Sequence, residues 1–198
     1  MSFIQKFRAM DDDLGCVGIY YQNKMSADYT YKETPLNSVI FASTAVDGGH
    51  YCAVQKEGSP LDESPIYLVY PNDCIIWVAK DFIDFLSLGV ATELFDLIPI
   101  FYSSGFVAGS PMPTFHSHSE KDFYNNIKEH QLYNIENGYD AKVKEAIKTL
   151  RNNFPLRQYA DPYTHIISTY YDINNHVDLK FGIPNVYKSK LGHYNVMW

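Results

Sequence analysis

The chain has 198 residues, of which 46% are hydrophobic and 20% charged, and its formal net charge is −7. This composition excludes a disordered chain, because a sequence of this length and apolar content can bury a core without a metal or a disulfide. The acidic balance argues against a nucleic-acid binder, since contact with the phosphate backbone needs clustered Lys and Arg, and it favours a basic or neutral partner.

The cysteines and the first residues indicate where the protein resides. Cys16, Cys52 and Cys74 lie among apolar residues without a CxxC spacing, so we expect free thiols in a reducing compartment. Residues 1–8 lack the apolar stretch of a signal peptide, and no run approaches the ~18 apolar residues of a membrane span. We therefore expect a cytoplasmic protein without membrane contact.

The first predicted elements are strands. After the acidic run at 11–13, residues 16–21 are short, apolar and rich in strand-forming residues. Two further strand-like segments, 37–44 and 50–55, flank Asp47-Gly48-Gly49, whose glycines accept the positive φ that a reversal needs. The pattern predicts a β-hairpin.

Two more strands are predicted at 65–70 and 74–79. Pro71-Asn72-Asp73 joins them, and proline, asparagine and aspartate favour turns. Successive strands with short connections predict an antiparallel meander, because parallel strands need long crossovers.

The apolar spacing becomes helical after residue 80. In 81–97, Phe82, Phe85 and Leu86 begin a helical pattern, and Gly89 is predicted to divide two short helices. Residues 103–113 are rich in Ser, Gly and Pro, which predicts a loop before a helical C-terminal half.

The C-terminal half contains two clear helix patterns. One begins after Ser119, which with Asp122 forms a relative of the capping box. The other covers 140–152, where an apolar stripe is formed by Val143, Ala146, Ile147 and Leu150. Residues 163–171 fit a strand or a helix equally well.

These elements predict an α+β fold. We expect an antiparallel meander sheet of four to six strands, with helices packed on one face and a helical C-terminal half. Residues 1–198 should form a single domain, with 114–198 as a candidate helical subdomain.

Two histidine-containing groups could carry chemistry. His116-Ser117-His118 could offer two metal ligands, with Asp161 or His165 completing the shell, but exposed loop histidines are the simpler interpretation. His50 and Cys52 face the same side of a strand, which a Cys–His nucleophile would need. A core thiol beside a histidine is the simpler interpretation there, so we predict no catalytic residue, no metal and no cofactor.

The acidic clusters are the candidate binding residues. Asp81 and Asp84, like the other paired acids, are expected to be solvated surface charges, because acid–base catalysis needs two carboxylates in unlike environments. A surface complementary to a basic protein would use such acids. The predicted binding residues are Asp11, Asp12, Asp13, Asp62 and Glu63.

An ordered set of motifs covers about a quarter of the chain. It comprises a strand ending in Phe41-Ala42, the turn Asp47-Gly48-Gly49-His50, the segment 65–71 and a helix start at 78–86. This set resembles the SUKH superfamily, which includes fungal cell-wall-assembly regulators and many bacterial immunity proteins. The resemblance implies an α+β fold and a non-enzymatic binding protein, in bacterial members often an inhibitor of a cognate toxin.

The sequence therefore favours a protein-binding module without enzymatic activity. Its expected partner is a basic protein, which would be a toxin if the protein is an immunity-type inhibitor. Two alternatives remain open: a small hydrolase or transferase that uses a His/Cys or His–metal site, and a regulatory or scaffold subunit.

Overall fold

The computed structural model describes residues 1–10, 14–21, 34–44, 49–55, 57–70, 74–95 and 119–171. The elements in chain order are α1 (Phe3–Arg8), β1 (Tyr20–Tyr21), β2 (Ser38–Ser43), β3 (His50–Val54), β4 (Ile66–Tyr70), β5 (Cys74–Ala79), α2 (Phe82–Thr92), α3 (Glu120–Glu136), α4 (Asp140–Asn153) and α5 (Pro162–Tyr171). The fold class is α+β, as the sequence predicted.

The strands form one antiparallel sheet in the order β1-β2-β3-β4-β5. His50 at the start of β3 pairs with Ser43 on one side and Val69 on the other. A bulge interrupts the register of β2 between Ile40 and Ala42. The predicted meander is confirmed, whereas its turn residues at 45–48 and 71–73 lie outside the described residues.

Both faces of the two central strands are buried. Side chains alternate along a strand, so Tyr51 and Leu68 face the helices while Cys52 and Tyr67 face the opposite side. All four are at most 1% exposed. The strands therefore appear in the sequence as continuous apolar runs instead of alternating apolar and polar residues.

Aromatic rings connect the helices to one face of the sheet. Phe41 of β2 contacts Phe82 of α2 edge-on at 5.2 Å between ring centroids and Phe7 of α1 at 6.2 Å. The same core cluster includes Phe123 of α3 and Leu150 of α4. The sheet and the C-terminal helices share this core, while the proposed extent of the domain and of the subdomain 114–198 stays a prediction.

The predicted strand at 16–21 is wrong over most of its length. Residues Gly15–Val17 form a 3-10 helix, and Gly18 follows with a φ of 80°. The Val17 carbonyl accepts a hydrogen bond from the Phe95 N–H at 3.1 Å instead of joining the sheet. Only Tyr20 and Tyr21 pair with β2.

The predicted break at Gly89 is also wrong, because α2 continues to Thr92. A Cβ added at Gly89 would lie 2.1 Å from the buried ring of Phe95. The glycine makes room for a ring and does not end the helix. The helices predicted after Ser119 and at 140–152 are confirmed, and 163–171 is helical.

Candidate functional site

Three of the predicted binding acids lie outside the described residues, namely Asp11, Asp12 and Asp13. Asp62 lies in a 3-10 helix, and its carboxylate accepts the backbone N–H groups of Phe3 at 2.7 Å and Ile4 at 3.0 Å. The Asp62 carboxylate therefore fixes the start of α1. Glu63 is exposed beside it and keeps the solvent access that a binding residue needs.

His50 and Cys52 are buried in β3. The Nε2 atom of His50 lies 3.2 Å from the Thr34 hydroxyl oxygen, and burial lowers the pKa of His50 to about 4. Burial raises the pKa of the Cys52 thiol to about 12, against a smaller effect of a hydrogen bond from Ser38. Both groups are therefore neutral near pH 7, whereas a Cys–His nucleophile needs a thiolate beside a protonated imidazole.

The histidines proposed as metal ligands are not brought together among the described residues. His116 and His118 lie outside them. Asp161 accepts the Thr164 N–H at 3.2 Å at the start of α5, and His165 is bonded to another carboxylate. The described part of the chain contains no group of three or more His, Cys, Asp or Glu side chains placed to hold a metal ion.

That other carboxylate belongs to Asp84, which is fully buried in the first turn of α2. Its Oδ1 atom accepts the Tyr159 hydroxyl and lies 2.7 Å from His165 Nε2. Its Oδ2 atom accepts the Lys80 backbone N–H at 2.9 Å. The expectation that Asp84 is a solvated surface acid is wrong, because these donors replace the water that an exposed carboxylate would bind.

Arg157 completes what we call the Asp84 cluster, formed by Asp81, Asp84, Arg157, Tyr159 and His165. The guanidinium Nη2 lies 2.6 Å from Asp81 Oδ2, and Nη1 lies 3.8 Å from Asp84 Oδ1. Partial burial opposes the charge of Arg157, but hydrogen bonds to Asp81 and Tyr159 outweigh it and raise the guanidinium pKa. Burial, together with the hydrogen bond to Asp84, raises the pKa of Tyr159.

The Asp84 cluster holds the segment before α5 against α2 through hydrogen bonds. The backbone N–H of Arg157 donates to Ser87 Oγ at 2.8 Å, and the same hydroxyl donates to the Ile83 carbonyl. The His165 ring stacks on the Tyr159 ring at 4.1 Å. The hydroxyl groups of Ser87 and Tyr159 are thus committed to hydrogen bonds, which suits a structural contact better than nucleophilic attack.

A second feature lies at the turn between α3 and α4, where four large apolar side chains are exposed. The exposed fraction is 56% for Leu132, 55% for Tyr133, 60% for Ile135 and 42% for Tyr139. We call these residues the α3–α4 patch. Their exposure contrasts with Phe123 and Ile127 of α3, which are buried in the core.

Local backbone chemistry places Tyr139 next to Tyr133. Gly138 has a φ of 72°, and the N–H groups of Gly138 and Tyr139 donate to the carbonyls of Ile135 and Asn134. A glycine in this left-handed conformation ends a helix and reverses the chain. The two tyrosine rings consequently lie 6.5 Å apart, with 40° between their planes.

Acidic residues border the patch. Glu129 precedes Tyr133 by four positions and Glu136 follows it by three, so both neighbour Tyr133 on the helix surface, and both are exposed. Lys128 holds the corresponding position relative to Leu132. Asp140 is engaged by Lys144, whose Nζ lies 2.8 Å from Asp140 Oδ2.

Sequence reasoning missed the α3–α4 patch, although the helical phase contains the signal. At 3.6 residues per turn, Leu132 lies about 180° around α3 from Phe123. Ile135 also lies well away from the buried stripe. Apolar residues outside the core-facing stripe of a helix indicate a second contact surface.

Comparisons with known proteins add no assignment: no family model, no curated protein and no solved structure matches the chain. The SUKH resemblance is therefore neither supported nor refuted. Among the helices in the described residues, none has the length and apolar character needed to cross a membrane.

Proposed function

We propose that this chain is a non-enzymatic protein-binding module and that it docks a basic partner protein through the α3–α4 patch. The observation that carries the proposal is the exposure of four large apolar residues within eight positions of the chain, Leu132, Tyr133, Ile135 and Tyr139. Contiguous exposed apolar surface bordered by polar residues is typical of protein interaction sites.

The residue types of the patch also favour a protein partner. Tyrosine is enriched at protein interfaces, because its ring supplies apolar contact area while its hydroxyl stays hydrated. Tyr133 and Tyr139 are half-exposed, and two exposed aliphatic residues, Leu132 and Ile135, lie in the same stretch of the chain. Aromatic anchors of this kind carry much of the binding energy in known interfaces.

Charge supports a basic partner. The chain has a formal net charge of −7, and Glu129 and Glu136 border the patch. Complementary potentials speed encounter and suppress wrong partners. The two glutamates beside Tyr133 therefore favour a partner surface that places Lys or Arg next to its own apolar residues.

The catalytic alternative has weaker support. The buried His50 and Cys52 are neutral near pH 7, with pKa values of about 4 and about 12. His165 is oriented by Asp84, as a general base would be, but the nearby hydroxyls of Ser87 and Tyr159 are engaged in hydrogen bonds.

An immunity-type inhibitor is the more specific form of the proposal. It rests on the resemblance of residues 38–88 to the SUKH superfamily, and a regulatory or scaffold subunit is the alternative. Gene neighbourhood separates the two, because an adjacent toxin gene supports immunity and its absence in several genomes supports the alternative.

The proposal is tested by capturing partners from extract of the native cell at low salt. The bait is the wild-type chain, the patch variant Leu132→Ser/Ile135→Ser, or a control variant, Leu36→Ser. Leu36 is 70% exposed and lies outside the patch, so its replacement removes a comparable exposed side chain. Circular dichroism checks that all three are folded.

We expect one basic protein to bind the wild-type chain and the Leu36 variant and to be lost from the patch variant. The purified partner should then bind directly, with an affinity that falls as salt rises. Equal capture by all three baits, or repeated absence of any specific partner, would refute the proposal.

A further inference from the structure

We infer that the two tyrosines of the α3–α4 patch receive an arginine side chain of the partner, next to an apolar partner residue that covers Leu132 and Ile135. This inference rests on the proposed function and specifies its chemistry. The ligand is a protein segment in which arginine and an aliphatic residue stand side by side.

The ring geometry suits a cation. The centroids of Tyr133 and Tyr139 are 6.5 Å apart and the ring planes are inclined by 40°. A guanidinium group above the opening between them can therefore lie within the ~6 Å that a cation–π contact allows of both centroids. Arginine also stacks its planar group on aromatic faces, which an ammonium group does not.

Backbone structure places the two tyrosines side by side before a partner arrives. Gly138 with its φ of 72° reverses the chain, and the Tyr139 N–H donates to the Asn134 carbonyl at 2.7 Å. A site whose parts are already in place loses less conformational entropy on binding.

The surrounding charges complete the site. Glu129 and Glu136 flank Tyr133 on the helix surface and can neutralise a bound guanidinium. Within the described residues, the one cation–π contact joins Lys6 to Phe154 and does not involve these tyrosines. The nearby Lys144 is bonded to Asp140.

The test is a cycle of peptide and protein variants. The probe is an acetylated, amidated helical peptide about four turns long, with leucines along one face and arginines beside them. The comparison peptide replaces each arginine by citrulline, which keeps the shape and removes the charge. Titration calorimetry measures both peptides with the wild-type chain, with Tyr133→Phe/Tyr139→Phe and with Tyr133→Leu/Tyr139→Leu.

We expect citrulline to weaken binding to the wild-type chain by about three- to tenfold. The phenylalanine variant keeps the ring faces and should retain this difference in affinity between the arginine and citrulline peptides. The leucine variant keeps apolar area without ring faces and should reduce the difference to less than twofold. Glu129→Gln/Glu136→Gln should reduce it partly.

An equal citrulline effect in the wild-type and leucine variants would overturn the inference, and so would the absence of binding of the arginine peptide at millimolar concentration. Failure of the proposed function is separate, because it appears in the capture experiment with the Leu132 and Ile135 variant. A partner lost from that variant but insensitive to the tyrosine change leaves the function standing and refutes the arginine site.

Discussion

Replacing Asp84 by alanine should destabilise the protein more than any change at an exposed acid. The carboxylate is fully buried and binds three donors: the Tyr159 hydroxyl, His165 Nε2 and the Lys80 backbone N–H. Alanine leaves these donors without their acceptor and opens a small void in the first turn of α2. Arg157 keeps its bond to Asp81.

The magnitude follows from the exposure of the partners. Removing one member of a buried ionic network costs about 3–5 kcal/mol. The His165 side chain is 22% exposed, so water can replace part of the hydrogen bonding that it loses, which places the cost at the lower end of this range, ~3 kcal/mol. For a domain of this size this corresponds to a decrease in melting temperature of about 6–12 °C.

Urea and thermal unfolding at pH 7 measure the effect, with Asp140→Asn as the matched control. Asp140 is also a carboxylate bonded to a cation, Lys144, but its side chain is 41% exposed, so its replacement should cost much less than that of Asp84. Asp84→Asn keeps one acceptor oxygen and should fall between the two. A loss of less than ~1 kcal/mol in the free energy of unfolding for Asp84→Ala would refute the idea that the Asp84 cluster holds the segment before α5 against α2.

Three other predictions concern buried positions. Gly89→Ala should destabilise by about 1–3 kcal/mol in urea unfolding, because the new Cβ meets the Phe95 ring at 2.1 Å, and unchanged or increased stability contradicts this. The pKa of His50 is about 4 when folded and 6.5 as an isolated side chain, so the unfolded chain binds more protons between these values; the contribution of neutral His50 to stability is full above pH 6.5, and about 3 kcal/mol is lost progressively as the pH falls from 6.5 to about 4. Unfolding measured from pH 7.5 to pH 4 should show this loss in the wild-type chain and not in His50→Gln. The Cys52 thiol, with a pKa of about 12, should resist iodoacetamide at pH 8 in the native protein, while the half-buried Cys16 reacts and urea makes both react; equal native rates by mass spectrometry contradict the prediction.

Local patterns account for what the sequence predicted well. The meander follows from apolar segments and short connections, and α3 from Ser119 with Asp122, which forms a complete capping box in the structure. α1 was missed, although Ser2 and Gln5 also form a capping box there. Its six residues are too few for helical periodicity to show.

Features that depend on distant residues could not be predicted in this way. Asp84 and His165 are 81 positions apart, so nothing near either residue indicates that one binds the other. Gly89 has the same difficulty, because a helix-breaking glycine and one that admits the Phe95 ring differ only in tertiary packing. The sequence shows that Leu132 lies opposite Phe123 on α3, but only the structure shows that Leu132 is exposed and not packed against a second element.

The anchoring of α1 has a consequence for the order of folding. A helix of six residues does not persist alone in water. Its first two N–H groups donate to the Asp62 carboxylate. The Lys6 ammonium group donates to the Asn153 carbonyl, which lies 147 positions later in the chain. Helix α1 therefore becomes stable only after the segments around residues 62 and 153 have packed beside it.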